Sequence, residues 1–397
     1  MPEIHRIFEG IFLSLMAAGG VYTIIALFSV LAAGREGKKM GRTDRAGGQS
    51  GQMWAAQPGV SILKPLMGAD EGLRENLESF CRQDYPCYEV LLGVRSTEDP
   101  AYPFAEEITR MYPHLARIVI SGRDLGANRK VSNLYGLQQN ARYDLVAVSD
   151  SDMRVEGDYL ETIVGEYLGR EGTGLVTSLY RISGPATAGA AFESLTIALD
   201  FIPAVLTARR LEGGLSFGLG ASMLFSTTAF ERTGGFRAIA DYLADDYQIG
   251  RRLWRDGRGV LLSGYVMEDM AGRMTVRQYI AHQLRWARTY RASRPKGYLG
   301  YGVTHLFAWS AFFFFLRPGA LSLSALALAF FLRAATGLAV YRKFIGRKGP
   351  EWLKWLFLLP AKDMMGFGVW AASFAGRRVQ WRGQTYSVTR TGKLRRQ

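Results

Sequence analysis

Three acidic pairs and one basic, aromatic stretch follow one another down the chain: Glu98-Asp99, Asp150-Ser151-Asp152, Asp245-Asp246 and His282-Gln283-Leu284-Arg285-Trp286. Asp150 and Asp152 come just after the apolar run Tyr143–Val148. That run reads as a buried strand delivering its acids at the carboxyl edge, where open α/β sheets hold ligands. Two carboxylates one residue apart suit Mg²⁺ or Mn²⁺, which take carboxylate and water ligands and bridge a diphosphate. Alone, an Asp-x-Asp is more often a solvated turn. Asp245-Asp246 opens a helical stretch through Ile249, Leu253 and Trp254, where paired acids also serve as caps favoured by the dipole. As chemistry, one of them accepts the proton of an attacking hydroxyl, because an alcohol is too weak an acid to ionise first. One base and one displacement imply inversion, with no second carboxylate acting as nucleophile.

Two further stretches could meet phosphate. Tyr279–Arg288 reads as a helix with Arg285 and Arg288 three apart and Ile280, Leu284 and Ala287 on an apolar face. Arg285 suits a diphosphate and Trp286 the acceptor side. An interfacial amphipathic helix is the plain alternative. Gly126–Lys130 precedes a helix, so its backbone N–H groups and Lys130 can meet phosphate oxygens. Gly218-Leu219-Gly220-Ala221 lacks the third glycine of a dinucleotide loop and reads as a turn. Taken in order, these residues neutralise a leaving diphosphate, deprotonate an alcohol and hold a donor in line. That is the work of a sugar-nucleotide-dependent transferase.

Such side chains need a sheet to position them. Strands are expected at Val60–Leu63, Glu89–Val94, Ala116–Ile120, Leu145–Val148, Leu175–Tyr180 and Ala221–Phe225. Helices are expected at Glu71–Cys81, Asn128–Asn140 and Tyr159–Leu168. This alternation predicts an α/β domain with a mostly parallel sheet covered on both faces. Cys81 and Cys87 have no metal-site spacing and are expected to be reduced and inert.

The 397 residues carry a net charge of +14, and the basic residues crowd beside apolar runs. Arg35, Lys38, Lys39, Arg42 and Arg45 follow the first run; Arg342, Lys343, Arg347, Lys348 and Lys354 follow a later one. From Arg377 onward there is no acid. This pattern suits loops facing anionic lipid and argues for a bilayer rather than nucleic acid as partner. Ile11–Ala33 is long enough to span as a retained anchor, with the N-terminus outside and the next domain cytoplasmic. Tyr298–Tyr341, broken at Arg317-Pro318-Gly319, predicts two spanning helices; Arg333 inside the second must snorkel or meet a polar partner. Trp352–Phe374, interrupted by Pro360, Lys362 and Asp363, predicts a re-entrant or interfacial segment. The expected organisation is an anchor over 1–34, a basic linker over 35–58, a cytoplasmic transferase domain over 59–297 and a membrane region over 298–397.

As a set, Lys64-Pro65-Leu66, Asn76–Phe80, Asp84-Tyr85-Pro86, Tyr88–Leu92, Asp99-Pro100-Ala101, Asn128–Asn133, Asp150-Ser151 and Leu243–Tyr247 resemble the ceramide glucosyltransferases. Similarity covers roughly residues 60 to 290 and, weakly, the C-terminal region including Trp381-Arg382. The resemblance implies a membrane-bound, inverting enzyme with a GT-A (Rossmann-like) nucleotide-sugar domain. It implies UDP-glucose or UDP-N-acetylglucosamine as donor, a divalent metal, and a lipid acceptor, either ceramide or a hopanoid polyol. It places Lys64, Asp99, Lys130, Asp150, Arg285 and Trp286 at the donor, Asp150 and Asp152 at the metal, and Asp246 as catalytic base. Asp245, His282 and Trp286 fall on the acceptor side. Asp152 stands where the eukaryotic enzymes tend to carry glycine, and His282 where Gln or Arg is usual. Gly126–Asn133 and His282–Arg288 look more like the bacterial hopanoid-glycosylating branch, which implies an inner membrane. A processive polysaccharide synthase and a non-catalytic, membrane-tethered nucleotide-binding protein are the alternative readings.

Overall fold

The computed structural model describes residues 2–43, 57–270, 272–346, 351–381 and 384–396. Residues 44–56 of the expected linker, and the basic positions Arg347, Lys348 and Arg382, lie outside them. The chain forms two compact units: Met1–Lys38, Gly184–Leu211 and Arg273–Arg377 in one, Lys39–Ser183, Glu212–Gly272 and Arg378–Gln397 in the other.

The second unit is built on an eight-stranded sheet. Its strands are β1 (Val60–Pro65), β2 (Tyr88–Val94), β3 (Ala116–Ile120), β4 (Leu145–Val148), β5 (Met153–Arg154), β6 (Thr173–Ile182), β7 (Met223–Ser226) and β8 (Gly259–Asp269). They lie in the order β3-β2-β1-β4-β7-β6-β8-β5. Pairing is parallel from β3 to β4 and between β6 and β8, and antiparallel where β7 enters and at β5. Every residue of β1 and β4 is buried, as expected of strands covered on both faces. β7 runs against β4 with Val148 opposite Met223, so the turn entering β7 lies at the edge where β4 releases Asp150. Three further strands, β9 (Arg378–Trp381), β10 (Gln384–Val388) and β11 (Leu394–Arg396), form an antiparallel sheet in order β11-β10-β9. Cys81 and Cys87 are free thiols, and burial pushes Cys81 up to about 12, so it stays protonated.

The first unit is helical. Ile7–Ala33, Ala188–Leu211 and Ala320–Ile345 are long and apolar enough to cross a membrane. Pro295–Thr304 and Leu306–Leu316 are long and apolar enough only as a pair, bent by 53° at the break between them, as in a broken span or a re-entrant loop. The break expected at Arg317-Pro318-Gly319 separates Leu306–Leu316 from Ala320–Val340. Trp352–Phe374 divides into a 3₁₀ segment, Glu351–Leu358, and a helix, Leu359–Ser373, with Pro360 in the helix's first turn. The apolar helical stretch Ala188–Leu211 has no counterpart among the sequence expectations; Glu193 and Asp200 interrupt its apolar run. It carries one π turn, Ile197–Phe201.

Arg333 meets polar partners. Its Nε donates to Asp363 Oδ2 at 2.9 Å, and its Nη2 donates to Asp363 Oδ1 at 2.7 Å and Asp200 Oδ1 at 2.6 Å. Nη1 donates to the Leu199 carbonyl at 2.8 Å. Lys362 contacts both acids, at 3.2 Å from Asp363 Oδ1 and by a hydrogen bond to Asp200. Two cations and two carboxylates thus neutralise one another inside an apolar unit, where an unpaired charge would be costly.

Candidate active site

The site begins at the end of β4. Asp150 leaves the strand with its side chain about a third exposed, and its Oδ1 lies 2.6 Å from the Lys130 ammonium. Lys130 stands in the first turn of the helix Arg129–Gln139, whose start is fixed by Asn128: Asn128 Oδ1 accepts from the Val131 N–H at 3.1 Å. The same ammonium lies 3.2 Å from Asp245 Oδ2. Burial alone would lower the Lys130 pKa, but Asp150 and Asp245 outweigh it and hold the side chain charged. One lysine therefore ties an acid from the end of β4 to an acid from the start of the helix Asp245–Arg255.

Asp246 turns towards the loop before β7. Its Oδ2 accepts from the Gly220 N–H at 3.1 Å, and its Oδ1 accepts from the Tyr247 N–H at 2.7 Å. A Cβ on Gly220 would stand 3.1 Å from Asp150 Oδ2 and 3.5 Å from Asp246 Oδ2. The two carboxylates thus converge on one point, and only glycine leaves the space between them open. Burial and the Asp245 charge push Asp246 up to about 6. Burial likewise raises Asp245, with Lys130 opposing. A carboxylate shifted towards neutrality, beside one paired with a lysine, is a suitable proton acceptor near neutral pH.

Lys64 is fully buried; its ammonium donates to the Asp150 carbonyl, stands 3.4 Å from Ser149 Oγ and lies 3.8 Å from the Phe80 ring centre. It holds the backbone that carries Asp150, and burial lowers its pKa to about 7. Asp99 Oδ1 accepts from the Gly68 N–H at 2.8 Å and the Ala101 N–H at 3.0 Å, pinning the loop after β1 to the start of the helix Tyr102–Met111. Asp152 precedes β5, and its carbonyl accepts from the Met270 N–H at 3.2 Å. Among the described residues no three His, Cys, Asp or Glu side chains close around a metal point. Asp150 meets Lys130 through Oδ1 and turns Oδ2 towards Gly220, two residues before Asp152. That donor set fits a cation held by one or two carboxylates and completed by substrate phosphates.

His282, Arg285 and Trp286 lie in the helical unit, on the helix Val276–Ser293, which a Thr275–Gln278 capping box starts. His282 Nδ1 is 3.2 Å from Glu193 Oε1, and Gln283 Nε2 donates to Glu193 Oε2 at 2.9 Å. The His282 and Trp286 rings meet edge to face at 4.8 Å, and Trp286 lies 5.9 Å from Phe201. Arg288 and Arg291 donate to the carbonyls of Ala375 and Gly376, at 3.1 and 2.7 Å. Of the expected apolar face only Ala287 is buried. Two residues at these places escape sequence reasoning: Gly220, dismissed as part of a plain turn, and Glu193, inside an unrecognised helix. Nothing local marks either: Gly220 gains its place from β7 lying antiparallel to β4, and Glu193 from partners distant in sequence.

A model of the family described as glycosyl transferase family 21 matches residues 14–394. Ceramide glucosyltransferase 1 of Caenorhabditis elegans is 28% identical over 239 residues, 60% of this chain and 51% of that protein. A ceramide glucosyltransferase of Komagataella phaffii is 35% identical over 102 residues, 24% of this chain and 20% of that protein. The chain spans about half the length of the Caenorhabditis relatives it matches. Among solved structures, the mannosyltransferase PcManGT of Pyrobaculum calidifontis, in complex with GDP-Man and Mn²⁺, is similar with a TM-score of 0.49 and 17% identity, over 91% of this chain and 98% of that one.

Proposed function

From the premise that this chain belongs to glycosyl transferase family 21, we propose that it transfers a hexose, with inversion, from a UDP-sugar to the hydroxyl of a membrane lipid. The observation that carries this reading is the meeting of Asp150 and Asp246 at Gly220, with Lys130 tying Asp150 to Asp245.

Asp246 takes the proton of the acceptor hydroxyl as the bond to the anomeric carbon forms. Its raised pKa matches that task better than an ordinary carboxylate would. Asp150 and Asp152 would hold Mg²⁺ or Mn²⁺, which when bound neutralises the charge developing on the leaving diphosphate. Lys130 holds the acids in register, and the Gly126–Asn128 backbone before its helix offers N–H groups to phosphate. Asp99 shapes the nucleotide side through the loop it pins. By the sequence resemblance, Arg285 is assigned to diphosphate oxygens and His282 and Trp286 to the acceptor. The apolar helices keep a lipid hydroxyl near the bilayer surface, reducing its search from a volume to a plane. The basic flanks of those helices favour a cytoplasmic catalytic domain; the bacterial inner membrane rests on the likeness of Gly126–Asn133 and His282–Arg288 to the hopanoid-glycosylating branch.

The test incubates the purified full chain with UDP-glucose or UDP-N-acetylglucosamine in vesicles containing ceramide or a hopanoid polyol. A glycolipid heavier than its acceptor by one hexose or N-acetylhexosamine residue is expected. Neither a glycolipid nor acceptor-dependent UDP release with any combination would remove the reading; a polymeric product would replace it with a processive synthase.

A further inference from the structure

The small C-terminal sheet pairs with the residues that lead into the acid pair. The Leu394 N–H donates to the Asp241 carbonyl at 2.6 Å, and the Leu243 N–H donates to the Gly392 carbonyl at 3.1 Å. Between them Tyr242 and Lys393 form an antiparallel bridge, with the Lys393 ammonium 5.5 Å from the Tyr242 ring centre. The pairing is anchored by apolar burial: Val379, Tyr386, Val388 and Leu394 are all at most 3% exposed. Gly392–Leu394 thus lies antiparallel against Asp241–Leu243.

The opposite side of that segment is held by the turn before the Lys130 helix. The Ala127 N–H donates to Asp241 Oδ1 at 3.0 Å, the Asn128 N–H to the Ala240 carbonyl at 2.8 Å, and Asn128 Nδ2 to the Tyr242 carbonyl at 2.7 Å. A Cβ on Gly126 would come within 2.7 Å of Ala240, so the two backbones are in close approach. Ala240–Leu243 therefore lies between the turn that starts the Lys130 helix and the strand from the chain's end. Ala244 follows with a non-helical backbone, and the helix then starts on Asp245. Where Asp245 and Asp246 point depends on where this segment sits.

We propose, on the reading of Asp246 as the base, that the C-terminal sheet is a positioning element for the transfer step: Gly392–Leu394 clamps Asp241–Leu243 and so fixes the acid pair. The role assigned to the sheet is to position the acids, not to bind donor or acceptor. Loosening it lets the acids drift while the donor's other partners stay in place. Its signature is a fall in kcat with little change in donor KM, since a sub-ångström displacement of a catalytic group costs turnover first.

Leu394→Pro tests this by removing the N–H that Asp241 accepts. Assayed on the full chain with UDP-glucose and ceramide vesicles, it should lower kcat about tenfold or more while donor KM moves less than about twofold. Leu394→Val keeps the amide and a buried aliphatic side chain, and should restore near wild-type turnover. If Leu394→Pro does not fold, Leu394→Ala takes its place: it unseats the sheet by its buried side chain and should lower kcat about threefold or more at constant KM. Wild-type kcat in whichever variant folds overturns the proposal, as does a rise in KM without a fall in kcat. Asp246→Asn is assayed in parallel. Full activity there would sink the base reading itself, whereas an inactive Asp246→Asn beside a fully active Leu394→Pro sinks only the positioning role.

Discussion

Asp150 Oδ2 and Asp246 Oδ2 both close on Gly220, at 3.1 and 3.5 Å from the point where its side chain would begin. A methyl group there meets both acids at less than or near van der Waals distance. Gly220 has no left-handed backbone requirement, so alanine is sterically awkward only towards the carboxylates. Gly220→Ala should leave the unfolding temperature within a few degrees and lower kcat by about ten- to a hundredfold, as misplacement of reacting groups does. Wild-type kcat in a folded Gly220→Ala protein would show that the convergence has no part in turnover.

Asp246→Asn removes the proton acceptor at nearly constant size; its one oxygen can accept from Gly220 or from Tyr247 but not from both. Transfer should fall by about a hundredfold or more, with UDP-sugar binding by titration calorimetry largely retained. The wild-type pH profile follows from the raised pKa: kcat/KM should climb as pH rises through about 6, where Asp246 becomes ionised, and level off above it. The stability consequence has the opposite sign. A carboxyl whose pKa is higher folded than unfolded binds more protons in the native state, so stability drops as pH rises from about 4 to about 6. Asp246→Asn should therefore raise the unfolding temperature at pH 7 and lose that advantage below pH 4. A difference in unfolding temperature between variant and wild type that does not change between pH 4 and pH 7 would contradict the burial of this charge.

Donor binding should depend on a divalent cation through Asp150 and Asp152. In the full chain, UDP affinity measured with and without Mn²⁺ should differ by about tenfold or more, consistent with a cation shared between carboxylates and phosphates. Asp150→Ala with Asp152→Ala should abolish that difference. Lys130 then keeps Asp245 as its one remaining carboxylate partner of the two and stays charged towards phosphate, so metal-free binding should survive. An undiminished response to Mn²⁺ in the double variant would place the cation elsewhere.

Local signals make one half of this arrangement legible in the sequence. β3, β4 and the helix Tyr159–Leu168 have the bounds their apolar patterns predict, because turn residues close each run and run length separates strand from helix. Asp150 and Asp152 are recognisable because a strand precedes them. Gly220 is not, since its role arises from β7 lying antiparallel to β4, a pairing that nothing in Gly218–Ala221 encodes. Ala188–Leu211 escapes for a related reason: Glu193 and Asp200 read as solvated until their partners His282, Gln283, Arg333 and Lys362, all distant in sequence, are known. The basic tail likewise reads as a charged run beside a membrane, whereas Val379, Tyr386, Val388 and Leu394 are its buried face.

The charges inside the helical unit lead to a last prediction. Arg333 holds Asp200 and Asp363 at once, from the helix Ala320–Val340 to the π turn Ile197–Phe201 and the helix Leu359–Ser373. Arg333→Met keeps much of the side chain's length and removes its charge and donors. Lys362 then faces two carboxylates alone, and the Leu199 carbonyl loses its donor. Leaving a buried charge without its partner costs about 3–5 kcal/mol, so the variant should unfold at markedly lower temperature in detergent. Adding Asp363→Asn removes the surplus negative charge, and the double variant should recover a large part of the loss. That recovery is the coupling a double-mutant cycle reads. If Arg333→Met unfolds at the wild-type temperature, the four charges do not hold these helices together; if the second substitution only adds to the first, Arg333 acts through packing rather than through Asp363.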